Sequence, residues 1–250
     1  DNERVFIIGG NKNINTKLPD TQAGTMIYNI KEKKFTRSQN LNYKRWYASV
    51  VRTSDNKLLL IGGTDHVNAK PSITPEILDL NKFENGWRPL YKASSKKLFG
   101  EPNEKNHEWN YPRSYLSSDG NIVGISYNKV WMMDKDDDFR VFQTNEIELE
   151  TGGVSGILED INLNNDHIGH IHQKGKNDIR KLRLLTIGSP VGTYNSTVMI
   201  GKDIVYLFGG KQTGEEYSAS NKVIKIDFTN SRKPKINKAR SMLMPRFNAN

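Results

Sequence analysis

Three observations predict an all-β protein made of repeated antiparallel units. Residues 47–63 (Tyr-Ala-Ser-Val-Val-Arg-Thr-Ser-Asp-Asn-Lys-Leu-Leu-Leu-Ile-Gly-Gly) are echoed by residues 195–210, and in both a serine (Ser49, Ser196) stands fourteen positions before the second glycine. The stretch Arg4-Val-Phe-Ile-Ile-Gly9-Gly10 repeats the back half of the same unit. Helix signals are nearly absent throughout. A strand, a polar turn, an apolar strand and a Gly-Gly step, recurring along one chain, make up one blade of a β-propeller. The glycine pair has a backbone reason, because the chain turns there where neighbouring strands approach closely and glycine tolerates positive φ.

In chain order, the first unit holds a strand at residues 4–8. After a polar loop at 11–21 come an alternating strand at 24–30 and a short edge at 34–36. The second unit is the most complete, with an inner strand at 46–52, a turn at Ser54-Asp55-Asn56 and strands at 57–61, 76–80 and 86–90. Tyr28 and Trp87 supply bulk between units. A third unit has strands at 113–117, 122–125, 129–133 and 140–142, with a turn at Asp119-Gly120 and Ser126-Tyr127 in the Gly-Gly place. The fourth runs from Tyr194 through Gly210 to a strand at 223–227, with a poor outer edge. Between them, residues 150–189 read as an insertion or a degenerate blade, with a further strand at 180–187. The whole of 1–250 is thus read as a single, partial propeller domain. The first unit lacks its inner strand and residues 246–250 copy only part of 45–49, so the chain is expected to be a portion of a longer or nicked polypeptide.

Composition narrows the function classes. Thirty-seven Lys and Arg against 28 Asp and Glu give a formal charge of +9. The lysines are scattered over turns, however (Lys31, Lys33 and Lys34; Lys96 and Lys97; Lys233, Lys235 and Lys238), and Asp134, Asp136, Asp137 and Asp138 interrupt the positive field. Dispersed turn lysines read as solvated edges, so no nucleic-acid partner is expected. The chain has no cysteine, hence no disulfide or thiol chemistry, which suits cytoplasm or export alike. No apolar run approaches membrane-spanning length.

Gly-Gly units with a Tyr and then a Trp downstream resemble kelch repeats. The likeness sharpens at Arg45-Trp46-Tyr47, at Asp55-Asn-Lys-Leu-Leu-Leu-Ile-Gly-Gly63, at Thr74-Pro75-Glu76-Ile77 and at Asn110-Tyr111-Pro112-Arg113. Together these are similar to the galactose oxidase and glyoxal oxidase family of copper-radical enzymes. The resemblance implies a kelch-type β-propeller with about four blades of an expected seven. It implies oxidation of a primary alcohol or aldehyde by O2, with release of H2O2. It also implies a secreted or cell-surface address and a copper cofactor. Tyr47 matches the family's copper-ligating radical tyrosine, and so is the expected catalytic and metal-binding residue. A phenol suits that role because a tyrosyl radical stores one oxidising equivalent while Cu(II) stores the other. Arg113 falls near a substrate-facing arginine. The other expected ligands, a cysteine cross-link partner, an axial Tyr beside a His and a second His, fall on the missing flanks.

Two function classes therefore stand side by side: a copper-radical oxidase for a small alcohol, aldehyde or carbohydrate, and a non-catalytic kelch propeller that binds a glycan or protein through its loop face. For Tyr47 the competing reading is an inward aromatic that packs the propeller centre. On the propeller reading, Tyr47 points to the axis or its rim. His167, His170 and His172 form a His-x-x-His-x-His cluster, in which two histidines at alternating positions on a strand would share a face and could bind Zn²⁺ or Cu²⁺; a His-rich polar insertion loop is the expected reading. Asp134-x-Asp-x-Asp138 imitates the start of a calcium loop, but Phe139 occupies the obligatory glycine position, so a solvated hairpin turn is expected. Asn195-Ser-Thr197 is a glycosylation sequon in a strand.

Overall fold

A computed structural model of the chain describes residues 3–10, 23–65, 68, 70–100, 111–127, 129–147, 196–201, 203–209 and 221–244. Two compact units divide the chain, one taking Asp1–Ser126 and Trp131–Gln143, the other Tyr127–Val130 and Thr144–Asn250. Among the described residues the fold is all-β, in four antiparallel sheets. The strand expected at 180–187 and the insertion at 150–189 lie outside the described residues.

The first sheet takes β1 (Arg4–Ile8), β2 (Thr25–Asn29) and β3 (Lys34–Arg37) in sequence order. The second has the order β4 (Trp46–Arg52), β5 (Lys57–Asp65), β7 (Glu76–Asp79), β8 (Arg88–Pro89), with β6 (Lys70–Pro71) added beside the end of β5. The third runs from β9 (Arg113–Leu116) through β10 (Ile122–Ser126) and β11 (Lys129–Asp134) to β12 (Arg140–Glu146). In the second compact unit, β13 (Ser196–Ile200), β14 (Ile204–Phe208), β15 (Val223–Asp227) and β16 (Lys235–Ala239) form the fourth. The repeat seen in the sequence is a repeat of register: Ser49 pairs with Ile61 and Ser196 with Phe208, each the residue before a Gly-Gly step.

The second sheet is buried on both faces, which is why its central strand, Leu58-Leu-Leu-Ile61, is a continuous apolar run and not an alternation. Because side chains of a strand alternate between faces, Leu58 and Leu60 pack with Leu78, Trp87, Phe6 and Ile8 against the first sheet. Leu59 and Ile61 pack with Ile77, Phe99, Ile122 and Trp131 against the third. Polar handles fix the two interfaces. Trp87 Nε1 donates to Thr25 Oγ1 at 3.0 Å, joining the outer part of the second sheet to the first. In the third sheet Trp131 Nε1 donates to Ser126 Oγ at 2.9 Å, and the ring meets Phe99 edge-on with centroids 5.4 Å apart. Gly124 permits that packing, since a Cβ there would lie 2.3 Å from the Trp131 ring.

Several boundaries differ from the sequence reading. β5 continues through Gly62 and Gly63 to Asp65, four residues past the end expected from the sequence, and pairs there with β6. The outer edge of the last unit is not poor: β16 pairs with β15 along five residues, from Val223–Ala239 to Asp227–Lys235. Its Lys-Ile-Asn-Lys-Ala sequence hides the strand because an outer edge is mostly solvated. One four-residue helix, α1 (Lys96–Phe99), occurs among the described residues, capped by Ser95 Oγ accepting from the Leu98 N–H. Tyr127, in the Gly-Gly place of the third sheet, keeps a left-handed backbone (φ 56°) without being glycine.

Candidate functional site

The site residues are positioned by a buried ion pair at the entry to β4. The Arg45 side chain is 1% exposed and that of Glu76, the first residue of β7, is 0% exposed. Glu76 Oε1 accepts from Arg45 Nε at 3.2 Å and Nη2 at 3.1 Å. The other guanidinium protons go to the carbonyls of Gly62 (2.6 Å), Ser72 (3.2 Å) and Thr74. Glu76 Oε2 accepts from the backbone N–H and side-chain amide of Asn42, at 2.7 and 2.8 Å. Burial pushes the Arg45 pKa below its usual value, opposed by the charge and hydrogen bonds of Glu76. The Arg45 carbonyl accepts from Gly10 N–H at 2.8 Å, so this residue also ties the end of β1 to the start of β4.

Immediately after it the strand is distorted. Trp46 pairs with Thr64 and Ala48 with Gly62, but Tyr47 between them has φ 63° and Gly63 opposite has φ 81°. Left-handed backbone costs a residue with a Cβ about 1–2 kcal/mol, and strained non-glycine residues concentrate where structure serves function. In a regular strand, consecutive side chains point to opposite faces. Here the Trp46 and Tyr47 rings stack, with centroids 3.9 Å apart and planes 23° from parallel.

Tyr111 extends the stack. It too is left-handed (φ 46°), donates its N–H to the Tyr47 carbonyl at 2.9 Å and sets its ring 4.8 Å from that of Tyr47. Its other neighbour is Arg113 at the start of β9, whose guanidinium carbon lies 5.9 Å from the Tyr111 ring centre. Arg113 is partly buried; burial lowers its pKa, opposed by the nearby phenols of Tyr115 and Tyr111. Tyr111 is 40% exposed, so the stack opens to solvent. Thus Tyr47 and Arg113, far apart in sequence, are both neighbours of one ring. β4 and β9 are the end strands of their sheets and adjoin. Tyr111 was not singled out from the sequence, although it heads the Tyr-Pro-Arg element that drew attention to Arg113.

The chemistry available among the described residues is aromatic and cationic. None of these residues form a group of three or more His, Cys, Asp or Glu placed to hold a metal. The rings described around Tyr47 are the Trp46 indole and the Tyr111 phenol. All five histidines, His66, His107, His167, His170 and His172, lie outside the described residues, the cluster at 167–172 among them. The Asp134–Asp138 segment is a hairpin turn, as expected. Asp134 Oδ1 accepts from the Asp136 N–H, Asp137 pairs with Lys92 and Arg140, and Asp138 pairs with Arg88. The Asn195 end of the sequon lies outside the described residues, while Ser196 and Thr197 begin β13. No helix among the described residues is long and apolar enough to cross a membrane. No protein-family model matches the chain, and no curated protein matches it.

Proposed function

We propose that this chain is part of a kelch-type β-propeller, about four blades of an expected seven, that binds a small carbohydrate on its Trp46–Tyr47–Tyr111–Arg113 cluster. Support for the propeller comes from three successive sheets, each packed face to face on the next, and from adjoining end strands β4 and β9. The single observation that carries the binding reading is the run of contiguous, partly exposed rings ending in a guanidinium. Aromatic faces receive the apolar C–H face of a pyranose, and a planar cation beside them offers directed donors to its oxygens. Holding the rings by strained backbone and by the Arg45–Glu76 pair lowers the entropy lost on binding.

A monosaccharide of about a dozen heavy atoms, at about 0.3 kcal/mol each, binds with a Kd of the order of millimolar. Titration calorimetry and Trp fluorescence against a panel of neutral and charged sugars test this. Tyr111→Ala is expected to abolish binding at an unchanged unfolding midpoint. If no sugar perturbs the protein, or if Tyr111→Ala binds as the parent does, the cluster is packing only.

A second reading has one specific observation in its favour: Tyr47, the match to the radical tyrosine of the copper-radical oxidases, has its ring packed against Trp46 and lies within reach of Arg113 through Tyr111. On this reading the parent protein is secreted and oxidises a primary alcohol or aldehyde. Copper would supply one of the two oxidising equivalents, while this chain would contribute the Tyr47 phenol and orient substrate with Arg113. Peroxide release from the copper-loaded, full-length polypeptide, lost in Tyr47→Phe, would support it; copper-dependent peroxide release that survives Tyr47→Phe would refute it.

A further inference from the structure

We infer that the free edge of β1 is a docking site for an extended peptide of another polypeptide, which adds to the first sheet as a fourth, antiparallel strand. This inference stands apart from the carbohydrate reading above.

The register shows which backbone groups face outward. Ile30 N–H donates to the Glu3 carbonyl at 2.7 Å, and Gly9 N–H donates to the Gly24 carbonyl at 2.9 Å. Between these bonds Val5 pairs with Tyr28 and Ile7 with Met26. Hydrogen-bonded pairs alternate along an antiparallel ladder, so Val5 and Ile7 turn their N–H and C=O groups to β2. Phe6 and Ile8 turn theirs the other way. β1 is an end strand of its sheet, and among the described residues nothing pairs with those groups of Phe6 and Ile8. Such an edge is a template for a further strand. The opposite edge, β3, carries Lys34 and Arg37, exposed charges of the kind that protect an edge. From Val5 to Ile8, β1 carries neither charge nor proline.

The other sheets show what fits. β1 runs into Gly9-Gly10 as β5 runs through Gly62-Gly63 and β14 into Gly209-Gly210. β5 and β14 each have an antiparallel neighbour on this side, β4 and β13, and β9 holds the same place beside β10. One strand completes each of those sheets, which favours a single peptide over a second copy that would bring a whole sheet. Phe6 and Ile8 pack in the same cluster as Ala48 of β4, so an added strand continues an interface already formed. Its residues opposite Phe6 and Ile8 must be small or apolar. Those between them meet Val5 and Ile7, 46% and 48% exposed, on an outer face that goes on through Met26 and Phe35. The ligand is therefore an uncharged strand of the kind seen in Ser196-Thr-Val-Met-Ile200. Main-chain hydrogen bonds give such a complex its affinity, and alternate side chains its specificity.

The test uses fluorescent peptides copying residues 45–53 and 194–202, titrated by anisotropy against the intact chain. At least one should bind saturably. N-methylation on the alternate residues that face β1 should weaken it about ten-fold, the loss of one or two hydrogen bonds, whereas N-methylation on the other set should be tolerated. Ile7→Lys, on the exposed face, should also weaken binding. Residue-resolved hydrogen exchange needs no variant: Phe6 and Ile8 amides should exchange fast in the free chain and slow when peptide is added, while Val5 and Ile7 are slow throughout. Failure of both peptides to bind, equal effects of the two N-methyl sets, or Phe6 and Ile8 amides already protected without peptide would overturn the inference. So would a concentration-dependent dimer that protects the same two amides.

Discussion

Glu76→Ala should be among the most damaging single substitutions in the chain. The carboxylate is wholly buried and receives five hydrogen bonds: two from Arg45, two from Asn42 and one from the Tyr43 N–H. Its removal leaves the Arg45 guanidinium buried with only the carbonyls of Gly62, Ser72 and Thr74 for partners. It also strands the Asn42 and Tyr43 backbone donors. Breaking a buried pair by deleting one partner costs about 3–5 kcal/mol, and for a domain of this size each kcal/mol moves the melting midpoint by about 2–4 °C. The expected loss is therefore about 6–20 °C, read by circular dichroism, with a matching fall in urea midpoint. The double variant Arg45→Met/Glu76→Leu also loses the three bonds from Arg45 to the carbonyls of Gly62, Ser72 and Thr74 but buries no charge. It should be less destabilised than the sum of its single variants by about 2 kcal/mol. A Glu76→Ala cost below about 1 kcal/mol, the range of exposed pairs, or strict additivity in the double variant, would refute the role assigned to this pair.

Three further outcomes follow from contacts elsewhere in the fold. Gly63→Ala places a Cβ 2.9 Å from the Trp46 carbonyl oxygen in left-handed backbone; it should cost at least about 1–2 kcal/mol and change Trp46 emission by disturbing its stack with Tyr47. Thr25→Val strands the buried Trp87 N–H at a cost of about 1–3 kcal/mol in denaturant unfolding, and Thr25→Ser should restore most of it. Asp227 is held below the usual carboxylate range by the Thr229 hydroxyl and N–H, bonds of 2.7 and 3.0 Å. A depressed folded-state pKa stabilises above the unfolded value of about 4 and is lost as pH falls through the folded value. Asp227→Asn should therefore lower the urea midpoint at neutral pH and match the parent chain in strong acid.

What could be read from the sequence was whatever burial writes into it. β1, β4 and β15 were placed to the residue because apolar strands bounded by Gly-Gly or polar turns have sharp ends. The Gly-Gly step itself misled at β5, since Gly62 and Gly63 bend a strand that nonetheless goes on to Asp65. β16 and α1 were obscured for a different reason: lysine-rich, half-solvated segments carry little hydrophobic period, and a single turn of helix carries none. At the site, Tyr47 and Arg113 stood out by resemblance, whereas Tyr111 became visible only in three dimensions. Its role depends on a left-handed φ and on a hydrogen bond to Tyr47, a residue more than sixty positions earlier, and no local pattern announces either.

The first three sheets are each built from consecutive chain, and among the described residues the second packs on the first through one apolar cluster and on the third through another. Such an arrangement is close to one-dimensional, so its cohesion is a sum of sheet and nearest-neighbour contributions and not one indivisible quantity. The middle sheet, sheltered on both sides, should exchange its Leu59–Ile61 amide protons last, while the first sheet should release those of β3 early. A lesion in β2 should loosen the second sheet and barely reach β11. For a protein of this build one segment can be altered without disturbing those beyond its neighbours, and the Ser126-Tyr127 step, which makes the left-handed turn without glycine, is tolerated on the same terms.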